Sequence, residues 1–188
     1  MPILVQRHLL QVCITLALYT KISHPVCLFQ GSKVNYQNMN FLCKMGASFP
    51  QQCLRERTDF KFPMEITKVR QRNAIVMIHE LLRQIFHLFS KNLPESVWNA
   101  SCIEKFQNGI HQQIEELETC LVEELSKARN SSQTGVLNST TLRVKKYFRR
   151  ITSFLENKQY SHCSWEAVRM EVRTCFIFID CLMRKHMA

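Results

Sequence analysis

Glycine and proline are scarce in this chain of 188 residues, which contains four glycines and five prolines. These numbers are too low for a β-sandwich with its many turns. The sequence also lacks a C-x-x-C pair, which excludes a zinc ribbon and a thioredoxin-like redox site. No apolar run is long enough to cross a bilayer as a helix. We therefore expect a helical protein without membrane insertion.

Motifs of catalysis are missing as well. His79-Glu80 lacks the second histidine of an H-E-x-x-H zinc site, and no glutamate has a histidine three residues later, as a di-iron bundle requires. Neither a G-x-S-x-G motif nor a P-loop occurs. We expect no enzyme, no cofactor and no metal site.

The first 26 residues have the pattern of a secretory signal. Arg7 and His8 precede an apolar run over residues 9–19. Cleavage before Cys27 leaves a domain over 27–188, although His24 and Val26 stand where small residues are usual. A buried N-terminal helix is the alternative. We expect a secreted, extracellular protein.

Nine cysteines fit an oxidising destination. Cys13 is removed with the signal, and the remaining eight allow many pairings. Three glycosylation sequons begin at Asn99, Asn130 and Asn138, and their presence behind a signal supports secretion.

Five helices are predicted from apolar residues at steps of three and four. Their expected bounds are 31–45, 69–91, 98–128, 141–157 and 161–184. The sequons at Asn130 and Asn138 fall in a predicted loop over 130–140. The helices suit either an up-down bundle or one with crossover connections. The loop over 47–68 favours an all-α, up-up-down-down five-helix bundle, because it is long enough to run along the bundle.

The formal net charge is +10, which suits nucleic acid, anionic glycans or an acidic receptor surface. Lys145, Lys146, Arg149 and Arg150 form a basic stretch that is either a solvated helix face or a binding surface. Because the signal, the sequons and the cysteines indicate an extracellular protein, we expect no nucleic acid partner.

Five segments together resemble the type I interferon family, interferon-beta in particular. They are the first loop over 52–63, then 85–89, 110–114, 142–151 and the last segment over 160–172. Cys163 and Trp165 in the last segment carry the most specific part of the likeness, and Asn99 after Trp98 is similar to the glycosylated site of interferon-beta.

The resemblance implies a helical cytokine with the disulfides Cys27–Cys120 and Cys53–Cys163. It leaves four cysteines without a family partner, and a third disulfide among them stays open. Cys175 falls on the apolar stripe of the last helix, so we expect a buried thiol there.

The resemblance also implies two receptor-binding surfaces. The high-affinity chain of the receptor is expected to meet Leu54, Arg57, Arg169, Met170 and Arg173. The second chain is expected to meet His87, Lys91, Gln107, His111 and Lys145. Arg169 follows Trp165 by four residues, so its charge is expected at the border of the apolar stripe, within reach of solvent. Thr174 stands where the family usually has arginine.

The implied function is that of a secreted antiviral cytokine. As a monomer it would dimerise a two-chain class II cytokine receptor, the type I interferon receptor, and so trigger Janus-kinase signalling and antiviral gene transcription. The alternatives are another secreted four-helix cytokine, or a cationic helical protein that binds glycans or membranes.

Overall fold

Five α-helices and one short 3-10 helix form the computed structural model, which describes residues 32–46, 48–63, 71–128 and 134–187. Helix α1 covers residues 32–45, and the 3-10 helix covers Gln51–Glu56. The remaining helices are α2 (Gln71–Leu88), α3 (Ala100–Ala128), α4 (Thr134–Asn157) and α5 (His162–Met187). No strand occurs in these ranges. The prediction of an all-α, five-helix bundle is confirmed.

Helix α4 differs most from its predicted bounds, because it begins at Thr134 and not near Thr141. The prediction of a loop over residues 130–140 is therefore wrong from Thr134 onward, and Asn138 lies within a helix. The early turns are rich in Ser, Thr and Asn and carry little apolar periodicity. A helix that is already stabilised by packing extends at low cost, since each added residue gains one hydrogen bond.

The core is built from the predicted apolar stripes. An aromatic cluster lies where α2, α3 and α5 meet, with Phe89 centred 5.5 Å from Trp165 and 5.0 Å from Phe106. Trp98 joins the cluster 5.7 Å from Trp165. Trp165 is fully buried and its indole Nε1 donates to the Asn92 carbonyl at 2.8 Å, so its predicted role as a core anchor is confirmed.

The disulfide Cys53–Cys163 joins the 3-10 helix to the start of α5, as expected. It closes a loop of 110 residues, for which the chain-entropy model gives about 4–5 kcal/mol of stabilisation. Among the described residues the free cysteines are Cys43, Cys102, Cys175 and Cys181. The prediction of a buried Cys175 thiol is confirmed.

A buried ion pair beside that disulfide ties α5 to the end of α1 and to Trp98, which precedes α3. Glu166 accepts from Arg169 Nη2 at 2.6 Å and from Trp98 Nε1 at 2.6 Å. Arg169 Nη1 also donates to the carbonyl of Leu42 at 3.3 Å. The last carbonyls of α1 have no partner within their own helix, so a cation there satisfies them and favours the helix dipole. Glu166 and Arg169 are 1% and 4% exposed.

Gly46, just after α1, permits this close approach. A Cβ atom at Gly46 would lie 2.9 Å from Glu166 Oε1 and 3.2 Å from Arg169 Cζ. Any larger residue would force either the ion pair or the end of α1 to shift.

The expectation that the Arg169 charge reaches solvent is wrong. Its side chain crosses the border of the apolar stripe and turns towards α1, where Glu166 and the α1 carbonyls surround it. The spacing from Trp165 placed the residue at the border, but it could not show that a second helix ends there.

A second polar network lies between α4 and α5. The buried Tyr147 hydroxyl donates to Glu171 Oε1 at 2.6 Å and lies 3.5 Å from Cys175 Sγ. Burial raises the pKa of the Glu171 carboxyl, the hydrogen bond from Tyr147 opposes this shift, and the negative charge of Asp59 adds to it. Burial also raises the pKa of Cys175 to about 12, so the thiol stays protonated at neutral pH.

We expect Arg169→Ala to lower the free energy of unfolding by about 3–5 kcal/mol, because it leaves the Glu166 carboxylate buried with fewer partners. Urea denaturation followed by circular dichroism measures the loss. Arg184→Ala is the matched control, since Arg184 pairs with Asp180 at 2.8 Å but is 78% exposed. Exposed pairs contribute about 0–1 kcal/mol. Equal losses in the two variants would contradict the structural role of Arg169.

Glu171→Gln tests the α4–α5 network. Because the folded-state pKa of Glu171 is raised, its contribution to stability is full below the unfolded value of 4.5. That contribution is lost as the pH rises through the folded value. The wild type should therefore lose stability relative to Glu171→Gln between about pH 4 and about pH 7. Urea denaturation at both pH values measures this, with the exposed Glu104→Gln as control. Parallel pH profiles for wild type and Glu171→Gln would refute the shift.

Candidate functional site

The 3-10 helix and α5 pack against each other, and each exposes a large apolar side chain. Leu54 is 52% exposed and Met170 is 38% exposed, which is unusual for side chains of this size. Arg57, directly after the 3-10 helix, and Arg173 on α5 are exposed as well. The disulfide next to Leu54 fixes the 3-10 helix on α5. Four of the five residues expected on the first receptor-binding surface are thus accessible, and Arg169 is not.

Helix α4 holds the loop that carries this surface. Arg150 donates from Nε to the Phe60 carbonyl at 3.1 Å and from Nη2 to the Lys61 carbonyl at 3.0 Å. The Phe60 ring packs edge-on against Phe154 with centroids 5.1 Å apart. Lys158 and Glu56 form an ion pair at 2.9 Å. The loop is therefore fastened on both sides of Arg57, and its surface is presented in a fixed shape.

Two exposed apolar residues beside this surface were missed by the sequence analysis. Tyr36 on α1 is 67% exposed and Ile177 on α5 is 48% exposed. Asn35 donates to the Phe176 carbonyl at 3.2 Å, which places the two helices side by side at this level. In the sequence, Ile177 falls between the inward positions of the α5 stripe, and this spacing could have predicted its exposure. Thr174 is exposed, and its hydroxyl donates to the Met170 carbonyl at 3.4 Å.

The residues expected on the second surface lie on or next to α2, α3 and α4. His87, Lys91, His111 and Lys145 are exposed, whereas Gln107 is half-buried. Gln107 Nε2 donates to the Phe89 carbonyl at 2.7 Å, and the His111 ring lies 5.7 Å from Phe86. These two contacts bring the α3 residues next to the end of α2.

Lys145 on α4 lies beside an earlier part of α2, where its Nζ is 4.0 Å from Glu80 Oε1. The residues expected on the second surface therefore lie together near His87, Gln107 and His111, and Lys145 of α4 lies apart from them, next to Glu80 of α2.

The expected glycosylation sites differ in their surroundings. Asn99 is exposed, and its Oδ1 accepts the backbone N–H of Cys102 at 2.9 Å, which caps the start of α3. A glycan is attached to Nδ2, so the cap and a glycan are compatible. Asn130 lies outside the described residues, and Asn138 lies in the first turns of α4.

Two further expectations concern cysteines. Cys120 is disulfide-bonded, but Cys27 lies outside the described residues, so the Cys27–Cys120 pairing stays a prediction. In the described part of the chain, the one cluster of three metal-ligand side chains is Cys53, His162 and Cys163. Its two sulfurs are bonded to each other, so they are not thiolates that hold a metal.

Comparisons with known proteins agree with this architecture. The profile of the interferon alpha/beta domain matches residues 27–186. Interferon beta of Tachyglossus aculeatus aculeatus is 35% identical over 154 residues, which cover 80% of each chain. Interferon alpha-21 of Homo sapiens is 38% identical over 159 residues, which cover 80% of this chain and 82% of the relative.

A solved structure is similar too. Zebrafish interferon 2 superposes with a TM-score of 0.68 at 26% identity, over 79% of this chain and 96% of that one. Among the described residues, no helix combines the length and the apolar character needed to cross a membrane. The relatives are secreted cytokines and not enzymes. The chain therefore belongs to the interferon alpha/beta family of antiviral cytokines.

Proposed function

We propose that this cytokine dimerises the two chains of a class II cytokine receptor, the type I interferon receptor, and so starts Janus-kinase signalling and antiviral transcription. The observation that carries the proposal is the exposure of Leu54 and Met170 on two packed elements, with the exposed Arg57 directly after the 3-10 helix and Arg173 on α5. An apolar centre with a cationic rim suits a partner whose surface is apolar in the middle and acidic around it.

The rigidity of this surface supports the proposal. The disulfide and the hydrogen bonds of Arg150 hold the loop before binding, so little conformational entropy is lost when a partner docks. Arg169 acts behind the surface. It fixes α1 against α5 and does not contact the receptor.

The second receptor chain is assigned to the surface around His87, Lys91, Gln107 and His111, with Lys145 at its edge. Its imidazoles and single ammonium groups have no comparable apolar centre, so the affinity there is expected to be lower. One ligand molecule, acting as a monomer, then holds two receptor chains at once.

The first 26 residues are proposed to be the secretory signal, with the mature domain over 27–188. The interferon match begins at residue 27, and the Cys53–Cys163 disulfide fits an oxidising compartment. Glycans are proposed at Asn99 and at one or both of Asn130 and Asn138.

Leu54→Ala and Met170→Ala test the first surface. Each should weaken binding to the high-affinity receptor ectodomain by at least about tenfold, because a central apolar contact is lost. Surface plasmon resonance gives the dissociation constants. Val97→Ala is the matched control, since Val97 is 55% exposed on another loop. If all three variants bind like the wild type, this surface is not the receptor site.

The same experiment separates the two surfaces when an antiviral reporter gene is read in parallel. The double variant His87→Ala/His111→Ala should keep the wild-type dissociation constant for the high-affinity chain and lose reporter induction. Loss of binding to the high-affinity chain in this variant would show that the second surface is assigned to the wrong partner.

Asn99 offers a matched pair of variants for the glycan. Ser101→Ala destroys the sequon but keeps the helix cap, whereas Asn99→Gln removes both. The secreted protein should lose the same glycan mass in both variants. Only Asn99→Gln should lose about 1 kcal/mol of stability from the cap. Mass spectrometry and urea denaturation measure the two effects. An unchanged mass in Ser101→Ala would show that Asn99 carries no glycan.

A further inference from the structure

The charge of this chain is unevenly distributed along the sequence. Residues 125–155 contain seven lysines and arginines and not one aspartate or glutamate. Most of this segment is helix α4, which therefore carries its cations with no acid on the same helix before Glu156. Intrahelical ion pairs, which would neutralise cations at a distance of three or four residues, are therefore excluded by sequence for the five cations of α4 between Arg143 and Arg150.

The cations of α4 lie together on its outer face. From residue 144 onward the inward face is apolar or aromatic, with Val144, Tyr147, Phe148, Ile151 and Leu155 buried. The exposed cations are Arg143, Lys145, Lys146, Arg149 and Arg150. At 3.6 residues per turn, Lys146 and Arg149 fall on one line with the exposed Leu142 and form the centre of this face.

The borders of the face are set by contacts to neighbouring elements. Lys145 faces α2, where Glu80 lies 4.0 Å away. Arg150 faces the long loop and donates to the Phe60 and Lys61 carbonyls, which are neutral acceptors and leave its charge in place. The cationic face of α4 is thus about 10 Å long from Arg143 to Arg150, at a rise of about 1.5 Å per residue.

We infer that the outer face of α4, centred on Lys146 and Arg149, binds a sulfated glycosaminoglycan. A row of cations at steps of three and four residues, about 4.5–6 Å apart along a rigid helix, complements a linear chain of sulfate and carboxylate groups. The Cys53–Cys163 disulfide places the protein in an oxidising compartment, where sulfated glycans and not nucleic acids are the abundant polyanions.

This glycan surface is separate from the surface around Leu54 and Met170, which belongs to the 3-10 helix and α5. A molecule held by the outer face of α4 keeps that surface accessible. Binding to cell-surface glycans therefore raises the local concentration of the cytokine without occupying the surface around Leu54 and Met170, and it reaches the second proposed surface only at Lys145, on the border of the face.

The double variant Lys146→Ala/Arg149→Ala tests the inference against Lys44→Ala/Lys105→Ala. The control removes the same charge from exposed positions on α1 and α3. Binding of the secreted protein to immobilised heparan sulfate is measured by surface plasmon resonance at physiological salt. We expect the α4 variant to bind at least about tenfold more weakly and the control to stay within about twofold of the wild type. Equal weakening of the two would show that only net charge matters and would overturn the site.

Three further arms complete the test. Chemically desulfated heparin should fail to compete, whereas heparin should compete fully. Single-stranded RNA that competes as well as heparin at equal charge would overturn the assignment to a glycan. Affinity for the high-affinity receptor ectodomain should be unchanged in the α4 variant, so that the glycan and receptor assignments fail independently. If the double variant does not fold, as judged by circular dichroism, the single variant Lys146→Glu replaces it, with Lys44→Glu as control.

Discussion

The Glu166 carboxylate is the group on which the arrangement of this protein depends. It is almost fully buried on α5, yet it accepts from Trp98 before α3 and from Arg169, which in turn reaches the end of α1. A buried charge without such partners would cost several kcal/mol, so the three elements cannot separate without exposing or isolating it. Gly46 is part of the same constraint, because a side chain there would occupy the space of the ion pair.

The Cys53–Cys163 disulfide adds a covalent link next to the Glu166 contacts. Cys163 lies three residues before Glu166, so the covalent link to the long loop and the ionic link to α1 meet in the first turns of α5. Arg150 adds a third fastening from α4 through two backbone carbonyls. The surface formed by Leu54 and Met170 is therefore built from segments that are distant in sequence and held by a common rigid frame. A cytokine works through such a surface, since it changes nothing chemically and acts only by the geometry it presents.

Buried charges stabilise the interior of this protein, and exposed charges form one of its surfaces. The acidic Glu166 and its cation are withdrawn into the interior, where they hold helices together. The cations of α4 are directed outwards, along a segment from which acidic residues are excluded. Arg150 belongs to both groups, because its hydrogen bonds to neutral carbonyls secure the loop while its charge adds to the outer face. The five cations on this one helix face equal half of the net charge of +10.

The sequence by itself determined the number of helices, the apolar faces of α2, α3 and α5, and the family. Apolar residues that recur every three or four positions over many turns leave few other ways to bury them. The Cys53–Cys163 pairing followed from the family resemblance and is present in the structure. The start of α4 did not follow, because a polar segment of Ser, Thr and Asn has similar local preferences in a loop and in a helix extended by its neighbours.

Only the tertiary structure decided what Arg169 does. A residue at the border of an apolar stripe faces solvent or a neighbouring helix, and the period of the stripe is the same in both cases. The outcome depended on where α1 ends, on the absence of a side chain at Gly46 and on the position of Glu166 one turn earlier. The same reason applies to Tyr36 and Ile177, whose exposure depends on how closely α1 packs on α5. Periodicity fixes which residues share a face of one helix, and only packing fixes what lies opposite that face.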